Sequence, residues 1–245
     1  MSLLEARGIS KRFGGVQAVS ALDLDVAEGE VVGVIGPNGA GKTTAFNMLS
    51  GFMAPDAGDI RFRGRSVLGW KPHAICALGL ARTFQIVRPF PRLTVLDNVL
   101  VGALSRDARA EAARARARDV VDRLGLGPKA AVPASGLTLA ERKRVELARA
   151  LATGPALLLL DEVMAGLNPT EIAALVGIIR DIHAGGVSIL LIEHNMRAVM
   201  ALSHRIVVLS FGERVAEGPP ASIARHPRVI EAYLGEEYVD AAPAR

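Results

Sequence analysis

The 245-residue sequence predicts an α/β fold with a parallel sheet, and its apolar runs carry that prediction. Three short, largely apolar segments in the final third alternate with helical segments; they are 157–160, 187–192 and 205–209. Such strands are typical of a parallel sheet covered on both faces. In the first third, Leu22, Leu24 and Val26 alternate as in a half-buried strand, and 31–35 is a buried strand. This part is therefore predicted to hold strands around one helix.

A helical lobe interrupts the alternation in the middle of the chain. From about residue 103 to residue 152 the pattern is helical, with few β-branched runs and with glycines and prolines that indicate loops. The strand pattern returns after it. We therefore predict three parts, which are a core formed by 1–102 and 153–235, a helical lobe at 103–152 and a C-terminal tail at 236–245.

Composition argues against several classes of protein. Half of the residues are apolar, yet no charge-free stretch approaches the ~20 apolar residues of a membrane helix. The N-terminus lacks the basic region and apolar block of a secretory signal, which predicts a cytosolic location. The single cysteine, Cys76, excludes an internal disulfide and cysteine-rich metal sites. With 29 basic and 25 acidic residues, the charge is too balanced to indicate nucleic-acid binding.

A complete phosphate-binding loop follows the apolar strand at 31–35. The segment G-P-N-G-A-G-K-T-T has the pattern G-x-x-x-x-G-K-T and leads into a helical run. Its glycines let backbone N–H groups face a phosphate at a helix N-terminus. Lys42 supplies a charge for the β and γ phosphates, Thr43 a hydroxyl for Mg²⁺, and Asn38 a hydrogen bond at the mouth of the loop. The predicted nucleotide-binding residues are Gly36, Pro37, Asn38, Gly39, Ala40, Gly41, Lys42, Thr43 and Thr44.

An acidic motif further along the chain supplies the second half of a hydrolytic site. Four leucines at 157–160 are followed by Asp161 and Glu162. Asp161 ends the strand, where α/β sheets bind ligands, and is predicted to hold Mg²⁺ mainly through water. Glu162 is predicted to polarise the attacking water. A strand followed by Asp-Glu is more often a helix cap when it stands alone, so this assignment depends on the phosphate loop.

From about residue 3 to residue 235, the sequence resembles the ATP-binding subunits of ABC transporters. The resemblance implies the ABC ATPase fold, a P-loop NTPase core with a parallel sheet, an N-terminal antiparallel β subdomain and an inserted helical lobe. It implies that Gln85, in Arg-Thr-Phe-Gln, contacts Mg²⁺ and the attacking water. It also implies that His194 contacts the γ-phosphate and that Phe13 stacks on adenine. Together with Glu162, Gln85 and His194 form the predicted catalytic set.

The signature motif of this family is altered in the chain. The usual Leu-Ser-Gly-Gly-Gln aligns with 137–141, where Leu139 and Ala140 replace the glycines and Glu141 replaces the glutamine. By residue pattern alone, Thr138 and Glu141 form a capping box that opens a helix. The resemblance implies that Thr138 faces the ATP of a partner chain, which is compatible because a helix N-terminus favours an anion. We hypothesise that the two composite sites of such a dimer are unequal.

Within the ABC group, 82–102, 165–169 and 229–235 resemble an ATPase of branched-chain amino acid importers. This implies ATP and Mg²⁺ as cofactors. The implied partners are a second ABC ATPase, identical or different, two membrane permeases and, indirectly, a periplasmic or extracellular solute-binding protein, with no nucleic acid. The implied location is peripheral, on the cytoplasmic face of the inner (plasma) membrane. Segment 86–94 is a candidate permease-contacting surface, and ordinary loop packing is an equal alternative for it.

Other functions stay open at this point. The chain could serve an importer of urea or another small solute, or an exporter, because an ATPase core barely encodes cargo or direction. A soluble ABC ATPase acting on nucleic acid or ribosomes is less favoured, since the chain has a single phosphate loop and no basic arm. A metabolite kinase would leave the signature helix and His194 unexplained.

Overall fold

The computed structural model describes residues 2–85, 87–107 and 109–230, and strands and helices alternate along them. The strands are β1 Ser2–Phe13, β2 Val16–Ala27, β3 Val31–Ile35, β4 Ala57–Phe62, β5 Arg65–Ser66, β6 Leu80–Arg82, β7 Leu157–Asp161, β8 Ser188–Ile192, β9 Arg205–Ser210 and β10 Glu213–Gly218. The helices are α1 Lys42–Leu49, α2 Pro72–Leu78, α3 Val95–Leu104, α4 Ala110–Arg123, α5 Leu139–Ala152, α6 Pro169–Ala184, α7 Met196–Leu202, α8 Pro220–Ile223 and α9 Pro227–Val229.

The chain forms two compact units. Among the described residues, unit 1 combines those up to Pro72 with those from Ser188 onward, and unit 2 comprises those from His73 to Val187. This division follows contacts within the fold, whereas the three parts predicted above follow changes in the sequence pattern and stay a prediction. The predicted tail at 236–245 lies outside the described residues.

Unit 1 contains an antiparallel sheet and a second, mixed sheet. The antiparallel sheet has the strand order β2-β1-β4-β5. Leu22, Leu24 and Val26 of β2 are buried, as their alternation predicts. In the second sheet, β3 pairs in parallel with both β8 and β9, and β10 pairs antiparallel with β9. Every residue of β3 is buried, which is the pattern of a central strand.

Unit 2 contains three helices that contact one another and a parallel strand pair. Helices α3, α4 and α5 contact one another, and β6 pairs with β7. The backbones of α3 and α5 come so close at Gly102 that a Cβ there would lie 2.2 Å from the carbonyl oxygen of Arg149. A side chain at this position would push the helices apart. None of the helices in the described ranges combines the length and apolar character needed to cross a bilayer.

Replacing Gly102 with alanine should destabilise the protein by about 2–3 kcal/mol, because the added methyl overpacks the contact between α3 and α5. Gly177 in α6 is the matched control, since a Cβ there meets no atom within 4 Å. Gly177→Ala should leave stability unchanged or raise it by up to ~1 kcal/mol through helix propensity. Urea denaturation of both variants measures the difference. Equal midpoints for Gly102→Ala and the wild type would contradict the packing argument.

Candidate functional site

The predicted phosphate loop joins β3 to α1 in unit 1, and neighbouring backbone fixes its shape. An added Cβ would lie 2.1 Å from the carbonyl oxygen of Leu209 at Gly36, and 2.3 Å from that of Ala18 at Gly41. Gly41 has a φ of 97°, which favours glycine further. Gly39 also has a positive φ, 79°, but a Cβ there would meet no atom within 4 Å. Packing therefore requires the outer two glycines, whereas Gly39 borders open space.

Hydrogen bonds anchor this loop to the rest of unit 1. The N–H of Gly212, which follows β9, donates to the carbonyl of Ala40 at 3.1 Å, and the N–H of Ser20 in β2 donates to the carbonyl of Gly212 at 2.8 Å. Inside the loop, the N–H of Ala40 donates to the carbonyl of Pro37 at 3.2 Å. Asn38 is exposed at the tip. The loop is thus held at its base and open at its tip.

Lys42 places a cation inside the phosphate loop. Its side chain is almost completely buried, with 6% of the residue's surface exposed. The Nζ atom donates to the carbonyl of Gly36 at 2.7 Å and to that of Pro37 at 2.9 Å. Thr43 is exposed and Thr44 is half-buried at the start of α1. A cation, a helix N-terminus and an exposed hydroxyl are thus adjacent, which is the chemistry that a polyphosphate requires.

His194 and Phe13 occupy different parts of unit 1. Strands β3 and β8 run in parallel, with Val34 opposite Ile192, so their carboxyl ends lie at the same edge. The phosphate loop follows one strand, and His194 follows the other and is exposed. Phe13 ends β1, pairs with Val16 across the hairpin and is 47% exposed. An exposed aromatic face is available there for stacking.

In unit 2, the ends of β6 and β7 bring Gln85 to Glu162. The two strands pair in parallel, and Asp161 is the last residue of β7. The amide Nε2 of Gln85 donates to Oε2 of Glu162 at 2.6 Å. Glu162 has a φ of 48°, a left-handed conformation that non-glycine residues adopt at a cost. The strand end therefore holds the predicted base in a constrained backbone.

Arg82 is a residue of this cluster that sequence reasoning missed. Its Nη2 lies 2.8 Å from Oδ2 of Asp161, and the two side chains are only 6% and 4% exposed. Arg82 pairs in register with Leu159, two residues before Asp161 on the same face of β7. The parallel register therefore accounts for the contact, and it cannot be derived from local sequence. A buried carboxylate requires such a partner.

Thr138 is the N-cap of α5, as the capping-box pattern predicts. Its Oγ1 accepts the N–H of Glu141 at 3.3 Å, and Oε2 of Glu141 accepts the N–H of Thr138 at 3.0 Å. Lys129 Nζ lies 2.5 Å from Oε1 of Glu141. The hydrogen bond from Lys129, with the N–H of Thr138, lowers the pKa of Glu141 below its usual value. The capping box is confirmed, and a role for Thr138 toward a partner's ATP stays a prediction.

Each of the two units contains side-chain oxygen atoms of the type that binds Mg²⁺. In the described part of the chain, no group of three or more His, Cys, Asp or Glu residues could hold a metal ion by itself. Mg²⁺ prefers oxygen ligands and usually takes one or two from protein, with the rest from phosphates and water. The exposed Thr43 hydroxyl in unit 1 and the Asp161 carboxylate and Gln85 amide in unit 2 are oxygen donors of this kind. The chemical type of these donors suits Mg²⁺, and their role as its ligands stays a prediction.

Comparison with known families decides the class of this chain. The model of the family described as ABC transporter matches residues 19–165, which include the phosphate loop and the acidic motif. The chain belongs to the ABC transporter family. A second model, described as branched-chain amino acid ATP-binding cassette transporter, matches residues 213–239, of which 231–239 lie outside the described residues.

Individual relatives support the same assignment. The high-affinity branched-chain amino acid transport ATP-binding protein LivG of Salmonella typhimurium is 43% identical, over 96% of this chain and 98% of LivG. BraF of Pseudomonas aeruginosa, of the same description, is 41% identical with the same coverage. A solved nucleotide-free ATP-binding cassette of an ABC transporter is 28% identical, with a TM-score of 0.87 over 96% of this chain and all of that one. The predicted ABC ATPase fold is confirmed, and the chain is an ATP-binding cassette and an ATPase.

Loss of the cation at Arg82 should destabilise unit 2. Arg82→Met leaves the buried Asp161 carboxylate without this partner, and we expect a loss of about 3–5 kcal/mol. Combining it with Asp161→Asn should cost clearly less than the sum of the two single changes, because both act on one ion pair. Urea denaturation of the two single variants and the double variant measures the coupling. Additive losses would show that the pair contributes nothing of its own.

Proposed function

We propose that this chain powers the import of branched-chain amino acids by binding and hydrolysing ATP. The observation that carries this proposal is the 41–43% identity, along nearly the whole chain, to LivG and BraF, which are described as branched-chain amino acid transport proteins. The match of 213–239 to a branched-chain family model supports it from a separate stretch of sequence. The fold by itself supports only ATP binding, since one fold serves many cargoes.

Nucleotide binding is assigned to unit 1 in this proposal. The backbone N–H groups of the phosphate loop and the Lys42 ammonium hold the phosphates, because a helix N-terminus and a buried cation both favour an anion. Phe13 stacks on adenine, and His194 contacts the γ-phosphate. The loop glycines support this assignment, since Gly36 and Gly41 let the loop pack closely on neighbouring backbone, while a Cβ at Gly39 would meet only open space, where a phosphate can approach.

Hydrolysis is assigned to the carboxylates of unit 2. Glu162 accepts a proton as water adds to the γ-phosphorus and the bond to the ADP oxygen breaks. Gln85 orients that carboxylate through the hydrogen bond between Nε2 and Oε2. Thr43, Gln85 and Asp161 are the proposed Mg²⁺ ligands, and the bound ion would neutralise phosphate charge.

The proposed partners follow from the cargo. The chain would pair with a second ABC ATPase, to which Thr138 presents its helix N-terminus. This pair would act at the cytoplasmic face of the membrane on two permeases supplied by a solute-binding protein. Segment 86–94, of which Ile86 lies outside the described residues, is the candidate permease-contacting surface, and Phe90 and Leu93 within it are exposed.

The catalytic assignment is tested on the transporter complex purified through a tag on this chain. Glu162→Gln keeps the size of the side chain but removes the base, so ATP turnover should fall about 100-fold or more while ATP binding is retained. Lys42→Ala is the contrasting variant and should weaken nucleotide binding itself. Steady-state phosphate release and equilibrium nucleotide binding separate the two effects. Normal turnover by Glu162→Gln would exclude this residue as the base.

The cargo is tested by uptake of labelled leucine in cells that lack this chain. Uptake should be lost, and only the wild-type gene should restore it, because Lys42→Ala cannot use ATP. Unlabelled branched-chain amino acids should compete, whereas urea should not. Unchanged leucine uptake would refute the proposed cargo and leave the ATPase assignment intact.

A further inference from the structure

Helix α5 carries a buried lysine that reaches the strand end at Glu162. Only 6% of the surface of Lys143 is exposed. Its Nζ donates to the backbone carbonyl oxygen of Glu162 at 3.3 Å. Burying an ammonium group is costly unless hydrogen bonds replace those to water, so Lys143 can stay buried only while its ammonium is hydrogen-bonded. The same carbonyl accepts the N–H of Ala165 at 3.2 Å, which closes a turn directly after β7.

One face of α5 contacts this turn at two points. Leu139 lies four residues before Lys143, so the two side chains share a face of the helix. The Cδ2 atom of Leu139 lies 3.1 Å from where a Cβ of Gly166 would stand. Lys143 thus contacts the first residue of the segment 162–166, and Leu139 contacts its last. The leucine that replaces a signature glycine therefore has a packing role within unit 2.

The conformation of Glu162 explains why such support matters. A non-glycine residue with a φ of 48° occupies a sparsely populated region and stays there only when its surroundings hold it. The Glu162 carboxylate is bonded to Gln85, and its carbonyl is bonded to Lys143. Carbonyl and carboxylate branch from the same Cα atom. A backbone rotation that breaks the bond to Lys143 would therefore also redirect the carboxylate.

We propose that Lys143 is a positioning residue for Glu162, whose backbone its ammonium holds in the orientation that points the carboxylate at the attacking water. The inference rests on the proposed role of Glu162 as the base. Because Lys143 belongs to the helix that begins at the signature, it joins the signature helix to the base of the same chain.

Lys143→Met in the full chain, assayed in the purified transporter complex, tests the proposal. The methionine fills a similar volume but cannot donate, so kcat should fall about 10- to 100-fold while the KM for ATP stays unchanged. Lys143→Arg should recover most of the loss, because the guanidinium can still donate to the carbonyl. Arg144→Met, a half-buried cation at the next position of α5, is the matched control and should leave kcat unchanged.

A second comparison separates positioning from a general effect on folding. In a Glu162→Gln background, single-turnover hydrolysis should be no slower with Lys143→Met than without it, because Lys143 acts only through that carboxylate. Multiplied losses, a raised KM with normal kcat, or normal kcat in Lys143→Met would each overturn the proposal. If Lys143→Met does not fold, Lys143→Gln, which keeps a donor, should show the same kcat pattern with a smaller loss. Normal turnover by Glu162→Gln alone would instead refute the proposed function.

Discussion

Parallel pairing of short apolar strands determines where the polar side chains of the candidate site lie in this protein. In unit 1, β3 pairs with β8, and in unit 2, β6 pairs with β7. Both members of a parallel pair end at the same edge, so the residues that follow one strand neighbour those that follow the other. The pairing accordingly sets the phosphate loop and His194 at one edge and brings Gln85 to Glu162. The strand interiors are buried and apolar, which leaves their ends as the places for charge.

Buried cations then fix the backbone at these strand ends. Lys42 and Lys143 are both nearly inaccessible, and both donate to backbone carbonyl oxygens. Arg82 instead holds the carboxylate of Asp161. In each case the charge is removed from water and must be compensated by oxygen atoms at short range. These hydrogen bonds and the ion pair orient the phosphate loop, the Glu162 carbonyl and Asp161 before a nucleotide binds. The site is preorganised in this sense.

The sequence alone predicts the structural elements that are determined by residues close together in the chain. The strand, the glycine loop and α1 could be predicted together because bare backbone and a helix start are properties of neighbouring residues. The start of α3 was missed, although Thr94 caps it by accepting the N–H of Asp97 at 3.1 Å, and the predicted lobe at 103–152 therefore begins within this helix. The contacts of Arg82 and Lys143 could not be predicted. They depend on strand register and helix packing between segments far apart in the chain.

The altered signature illustrates how a change from a family pattern can be compensated locally. Glu141 adds a carboxylate at a helix N-terminus, where the dipole favours it, and Lys129 balances its charge. Leu139 adds bulk that packs on Gly166, although the leucine stays 45% exposed. Since the capping box engages the Thr138 and Glu141 N–H groups, a phosphate from a partner chain would meet a helix end that already holds an anion of its own. The hypothesis of two unequal composite sites thereby acquires a physical cause, which is competition between the Glu141 carboxylate and phosphate for the same helix N-terminus.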